Sequence, residues 1–167
     1  MIHPSRLRWL ILTLVVVLLD RVSKAAIEAK TFEGWRNELV HNFIYLVHSK
    51  NTGIAFSILA DSASPWTRYS LIGGSLVVIA ILAWYLVAGS AISPRAAAGL
   101  ALLLGGATGN LTDRILRGGV TDFFEVWFGS YRYPAFNVAD SAITIGAVLI
   151  LLDVLFPRRA FTKSSVK

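Results

Sequence analysis

Residues 66–87 read WTRYSLIGGSLVVIAILAWYLV, an apolar stretch in which Arg68 is the one charged residue. A helix that crosses a bilayer needs about 20 predominantly apolar residues. Trp66 and Trp84 lie roughly 27 Å apart along a helix rising about 1.5 Å per residue, a spacing that suits a pair of interfacial anchors. This stretch reads as a membrane span, and it decides the class of the chain. Working outward, runs of the same kind predict further spans over about residues 7–28, 95–115 and 137–156, with outer segments of about 29–65 and 116–136. The first span has a short apolar run, Trp9 to Leu19, behind a basic start, which is also how a cleavable signal peptide begins. No convincing small-x-small cleavage site follows it, and three more spans do. An uncleaved helix with polar residues in its outer third is expected, and residues 1–167 read as a single integral membrane domain.

Composition points the same way. The chain is 55% apolar with a mean hydropathy of +0.62, and the excess is concentrated in these runs. The net charge is +6. A nucleic-acid binder gathers its basic residues on one solvated patch; here they sit in short segments between apolar runs, as topology signals and contacts for anionic lipid headgroups. With the N-terminus inside, the inner segments carry Arg6, Arg8, Arg95, Arg158, Arg159, Lys163 and Lys167 and no acid. The stretch 20–65 holds five basic and five acidic residues, and 113–136 holds three of each. The positive-inside rule therefore places both termini in the cytoplasm. There is no Cys, so disulfides, a thiol nucleophile and Cys-based metal sites are excluded.

Polar residues at membrane depth are costly and mark function. Asp20 and Lys24, then Asn110, Asp113 and Arg114, then Asn137 and Asp140 all fall at the outer ends of predicted spans, with Asp122 in the outer segment between. Structural readings stand beside functional ones. Asp20 and Lys24, four apart on one helix face, can simply pair, and Asp113 with Arg114 can clasp two helices. Asn137 with Asp140 fits an N-cap followed by an acid in the first turn. Asp122 alone can be a turn residue after Gly118-Gly119. Ser23 and Lys24 invite a Ser/Lys nucleophile, but adjacent helical residues point about 100° apart. Taken together, Asp122 and Asp140 best fit a converging pair. Two carboxylates sharing one proton supply both the base and the acid that peptide hydrolysis needs. His3, His41 and His48 lack ligand spacing, so neither a metal nor a cofactor is expected. His41 to His48 is rich in β-formers and predicts a strand that ends near Asn51-Thr-Gly53. Phe123, Phe124, Trp127 and Phe128 are too apolar for a free loop, which predicts a place in the headgroup region or over the mouth of a site.

At these residues the chain resembles the lipoprotein signal peptidase (signal peptidase II) family. The carriers, in order, are Asp20-Arg-Val-Ser-Lys24, Asn51-Thr-Gly-Ile-Ala-Phe-Ser57, Gly109-Asn-Leu-Thr-Asp-Arg114 with Gly119-Val-Thr-Asp-Phe123, and Phe136-Asn-Val-Ala-Asp140. The resemblance runs from the first span to the last. It implies an all-α membrane protein, four transmembrane helices with a small extracytoplasmic β-cradle and a mobile outer loop, most of both within 29–65. It implies an aspartyl endopeptidase at the outer face of the bacterial inner membrane, which removes signal peptides from diacylglyceryl-cysteine prolipoproteins. Its catalytic pair falls on Asp122 and Asp140, and its substrate contacts on Asn51, Asn110, Arg114 and Asn137. That leaves Asp20, Lys24 and Asp113 as structural polar residues. Lipidated prolipoprotein and membrane lipids are the expected partners, with no nucleic acid, and a monomer is expected. Arg21 departs from the family's common Gln, and Ile54 from its common Ala. A proton-coupled transporter is the alternative; its acids belong near the midplane between repeated halves, whereas these crowd one interface. A CDP-lipid phosphotransferase would need a multi-aspartate start that is missing before Asp113.

Overall fold

The computed structural model describes residues 4–53, 65–89 and 92–156. Ile54, the rest of its motif through Ser57, the expected mobile loop and the C-terminal basic residues Arg158, Arg159, Lys163 and Lys167 lie outside the described residues, as does His3. In chain order the elements are α1 (Pro4–Lys30), β1 (Arg36–Val40), β2 (Ile44–Asn51), α2 (Pro65–Ala88), α3 (Pro94–Arg117), β3 (Val120–Phe128), β4 (Tyr131–Phe136) and α4 (Val138–Leu155).

Local chemistry sets the element ends. The Ser93 side chain accepts from the Ala96 N–H and starts α3 with Pro94 in its first turn, and Gly118 at φ 76° stops it. Asn137 caps α4 in a reciprocal box with Asp140. Three arginines cap carbonyl ends of neighbouring helices. Arg6 reaches Leu86, Val87 and Gly89 at the end of α2, Arg68 reaches Arg114 and Ile115 at the end of α3, and Arg95 reaches Leu152 and Phe156 at the end of α4. Each supplies donors to carbonyls at a helix end, and a cation to the negative end of its dipole.

Helix α3 is the centre of the bundle, with α1, α2 and α4 packed around it. Its glycines permit this. A Cβ on Gly105 would sit 2.8 Å from Val16 of α1, one on Gly106 2.4 Å from the Ala139 carbonyl of α4, and one on Gly99 2.8 Å from the Gly146 carbonyl of α4. Small residues let backbones approach where packing, rather than water exclusion, holds helices together. Thr13 of α1 adds a 3.0 Å hydrogen bond to the Ala101 carbonyl. The buried core is thin, centred on Leu86, Ala97, Ala101 and Leu104. Large aliphatic residues point outward instead, among them Leu14, Leu18, Val77, Ile81, Leu151 and Val154. Helical stretches Trp66–Ala88 and Val138–Leu155 are long and apolar enough to cross a membrane. The other two helices carry charged residues at both ends, and α3 is further diluted by glycines.

The sheet is antiparallel in the order β1-β2-β3-β4. Here the structure departs from the sequence expectations. The strand predicted from His41 ends at Asn51 as expected but begins only at Ile44, because residues 41–43 make the hairpin turn, with Asn42 at φ 53°. Asn tolerates that left-handed conformation and β-formers do not. The sheet is also not mostly drawn from 29–65: β3 and β4, joined through Gly129 at φ 63°, supply half of its strands. Asp122 therefore lies in a strand, not a turn. The four aromatics of this segment lie along β3 and alternate between its faces, so Phe123 is buried while Phe124 stacks on Phe136 at 5.9 Å.

Candidate active site

Six elements, β2, β3, β4, α2, α3 and α4, converge at the end of the bundle that carries the sheet. Asp122 is the third residue of β3 and only 3% exposed. Its Oδ1 accepts from Asn137 Nδ2 at 2.7 Å and its Oδ2 from Asn51 Nδ2 at 3.2 Å. Asp140, in the first turn of α4, is half-buried. Its Oδ1 accepts from Asn110 Nδ2 at 2.8 Å and its Oδ2 from the Asn137 backbone N–H at 3.2 Å. Asn137, itself fully buried, thus ties both carboxylates, one through its side chain and one through its backbone. Arg114 donates to the Gly53 carbonyl at 3.0 Å and to the Asn110 carbonyl at 3.4 Å.

Asp122 and Asp140 both line a cavity of about 720 Å³, together with Asn51, Asn110 and Arg114. Its further walls are mostly apolar and come from α2, α4 and β4, with Leu71 and Val78, Ile143 and Ile145, and Pro134 and Phe136 among them. The sequence reading saw α2 only as a span and missed this wall. Its signal is the run of small residues Ser70, Gly74 and Ser75 within a helix of bulky aliphatics; a Cβ on Gly74 would meet nothing within 4 Å.

Burial pushes the Asp122 carboxyl up to about 7, the charge of Asp140 adds to the rise, and the hydrogen bonds from Asn51 and Asn137 pull against it. A carboxyl poised there is half protonated at neutral pH. The pair can hold one proton beside a cavity, which is what acid–base hydrolysis by two carboxylates requires.

Behind the cavity lies a second buried cluster. Lys24, 0% exposed, places its ammonium 2.8 Å from Asp20 Oδ2, 2.8 Å from Asp113 Oδ2 and 3.0 Å from Asn110 Oδ1. Asp113 also pairs with Arg21 and Arg117, and Arg117 with Glu28. Asp20 Oδ1 accepts the Ala139 N–H at 3.0 Å, an anion at the amino end of α4. The family-atypical Arg21 thereby has a partner within the fold. Ser23 donates to the Asp20 carbonyl instead of facing Lys24. Glu28, Arg117 and Thr121, which donates to Glu28 at 2.6 Å, join the cluster without having been singled out from sequence, because their pairing spans distant elements. The histidines sit elsewhere, His41 with Glu38 and His48 with Thr31; among the described residues, no group of three or more His, Asp or Glu could hold a metal ion.

Residues 12–156 match the family model described as signal peptidase (SPase) II. Proteins named lipoprotein signal peptidase are similar over most of their length. The one from Cupriavidus taiwanensis is 44% identical over 149 residues, 89% of this chain and 83% of the relative. That of Pseudomonas paraeruginosa is 42% identical over 157 residues, 93% and 92% of the two chains, and that of Solibacter usitatus 38% over 148 residues, 87% and 88%. Two solved structures titled as bacterial membrane enzymes, at 2.3 and 1.9 Å resolution, superpose with TM-scores of 0.82 and 0.78. They are 27% and 28% identical, with 96% and 90% of this chain and 94% of each of theirs covered.

Proposed function

Because the chain belongs to the signal peptidase II family, we propose that it is an aspartyl endopeptidase that cuts diacylglyceryl-cysteine prolipoproteins just before the lipidated cysteine. The observation that carries this reading is the tether: Asn137 holds Asp122 through its side chain and Asp140 through its backbone, so both carboxylates border one cavity. Asp122 is the more buried of the two and keeps the proton. Asp140, at the amino end of a helix, acts as base. Asp140 takes a proton from water as the oxygen attacks the scissile carbonyl, while Asp122 passes its proton to the carbonyl oxygen. On collapse Asp140 protonates the departing amine and the diol returns a proton to Asp122. Both carboxyls end as they began. Arg114 and the three asparagines position the peptide and keep the pair aligned, and the apolar walls on α2 and α4 take the lipid chains.

In this reading all four helices cross the membrane, over about residues 7–28, 66–87, 95–115 and 137–156, as a single domain. The outward apolar side chains meet lipid. The seven basic residues of the inner segments hold both termini in the cytoplasm. The sheet and the carboxylates then stand at the outer face, where a lipid-anchored precursor exposes its cleavage site. The enzyme works as a monomer.

The test is a gel-shift cleavage assay on a diacylglyceryl-modified precursor across pH. The folded-state value of Asp122 is raised, so the protonated, competent form prevails below it and is lost as pH rises through about 7. Above that point the rate should fall about tenfold per pH unit, and unlipidated precursor should stay intact. A rate that stays level or climbs between pH 7 and 9 would overturn the assignment of the proton to Asp122.

A further inference from the structure

Three asparagine amides surround the carboxyls, and each can turn over. An amide presents a donor on one side and an acceptor on the other, and the groups around it decide which way it faces. Asn137 is locked because its Oδ1 accepts the Asp140 N–H at 2.9 Å. Asn51 is locked because its Oδ1 accepts the Gly53 N–H at 3.0 Å. Both locks are backbone donors close in sequence. Among the described residues Asn110 has no such neighbour. Its Oδ1 accepts from Lys24 Nζ at 3.0 Å and, more weakly, from Asn137 Nδ2 at 3.3 Å, and only then does its Nδ2 reach Asp140 Oδ1 at 2.8 Å.

We propose that Lys24 is a positioning residue for the reaction: its ammonium, held by Asp20 and Asp113, fixes the Asn110 amide so that the NH2 group faces Asp140. An ammonium can only donate, so it admits one orientation of the amide. The reversed amide would aim its oxygen at a carboxylate, which is tolerable only if Asp140 carries the proton. Lys24 thereby helps keep Asp140 the base through the amide, without touching it. The groups facing Asp140 are Asn110 and Arg114 from α3, Asp122 from β3 and the Asn137 backbone; Asp20 reaches this turn through Ala139, and Arg68 of α2 is engaged with α3 carbonyls. This inference rests on the dyad reading above.

Two charge-neutral double variants isolate the donor. Asp20→Asn with Lys24→Gln keeps a donor near Asn110; Asp20→Asn with Lys24→Met removes it. Exchanging a buried ion pair for neutral groups is often close to neutral for stability, and Asp113 keeps Arg21 and Arg117 in both. The Gln pair should keep kcat within about fivefold of wild type. The Met pair should lose about 30-fold or more in kcat with KM changed less than about threefold, and the acid limb of its pH profile should move to higher pH. Equal losses in the two pairs, an unchanged Met pair, or failure of either pair to insert and fold would each overturn the proposal, the last because Lys24 would then serve the fold itself. Asp122→Asn and Asp140→Asn are assayed alongside: cleavage by those variants defeats the dyad reading, whereas their inactivity together with equal losses in the two pairs defeats only the role of Lys24.

Discussion

Asp140→Asn and Asp122→Asn should each yield a folded, membrane-inserted protein in which cleavage of lipidated precursor has fallen by about 10³-fold or more, since acid–base catalysis by one positioned group contributes roughly 10² to 10⁴ and neither carboxyl can act without the other. The fold should survive because the surroundings are neutral amides rather than ion pairs. The substitution is still not silent. Every carboxyl oxygen of the pair accepts a hydrogen bond, from Asn137 and Asn51 at Asp122 and from Asn110 and the Asn137 N–H at Asp140. An introduced amide must point its NH2 at one of these donors, which costs on the order of 1–3 kcal/mol for a buried donor left unpaired. A melting temperature lowered by a few degrees together with complete loss of cutting is the expected pattern. Either variant retaining more than about a tenth of wild-type cleavage would remove the carboxyl pair from the mechanism.

Gly106→Val should produce the largest loss outside the carboxyls. The added Cβ would lie 2.4 Å from the Ala139 carbonyl oxygen and 2.7 Å from Ile143 Cγ1. The oxygen is backbone and cannot step aside, so α3 and α4 must separate at their crossing. Overpacking of this kind costs about 1–3 kcal/mol. The functional cost is greater, because Ala139 immediately precedes Asp140 and its N–H is held by Asp20. A shift of about 1 Å here misplaces the base, and displacements of that size cost on the order of 10²-fold in rate. Gly73→Ala is the matched control. Its new Cβ meets nothing within 4 Å, and alanine is favoured over glycine in a helix by about 0.5–1 kcal/mol, so it should melt at or slightly above wild type. Thermal melts of the two variants beside cleavage rates decide the matter; equal behaviour would mean that the close α3–α4 contact is not what positions Asp140.

The sequence by itself determined what depends on neighbours along the chain. The apolar run of α2, the box in which Asn137 and Asp140 cap each other, and the glycine that ends α3 are all written within a few residues, so spacing and propensity reveal them. The motifs in their order carried the family as well. The sequence also showed that polar residues crowd one end of the helices and singled out Asp122 with Asp140, but it did not say which side chains hold each of them in place. Only the tertiary structure decided that. Asn51 reaches Asp122 across 71 residues and Lys24 reaches Asn110 across 86, through helices brought close by glycines whose partners no local pattern names. The sheet shows the same division. Its β-forming stretches and the turn at Asn42 are local, but the pairing of β2 with β3 joins residues about 70 to 80 positions apart and depends on the packed chain. Local preference selects helix or strand at small energetic cost, whereas a buried carboxylate, amide or ammonium must find its partner or be expelled, and only a packed chain offers the choice.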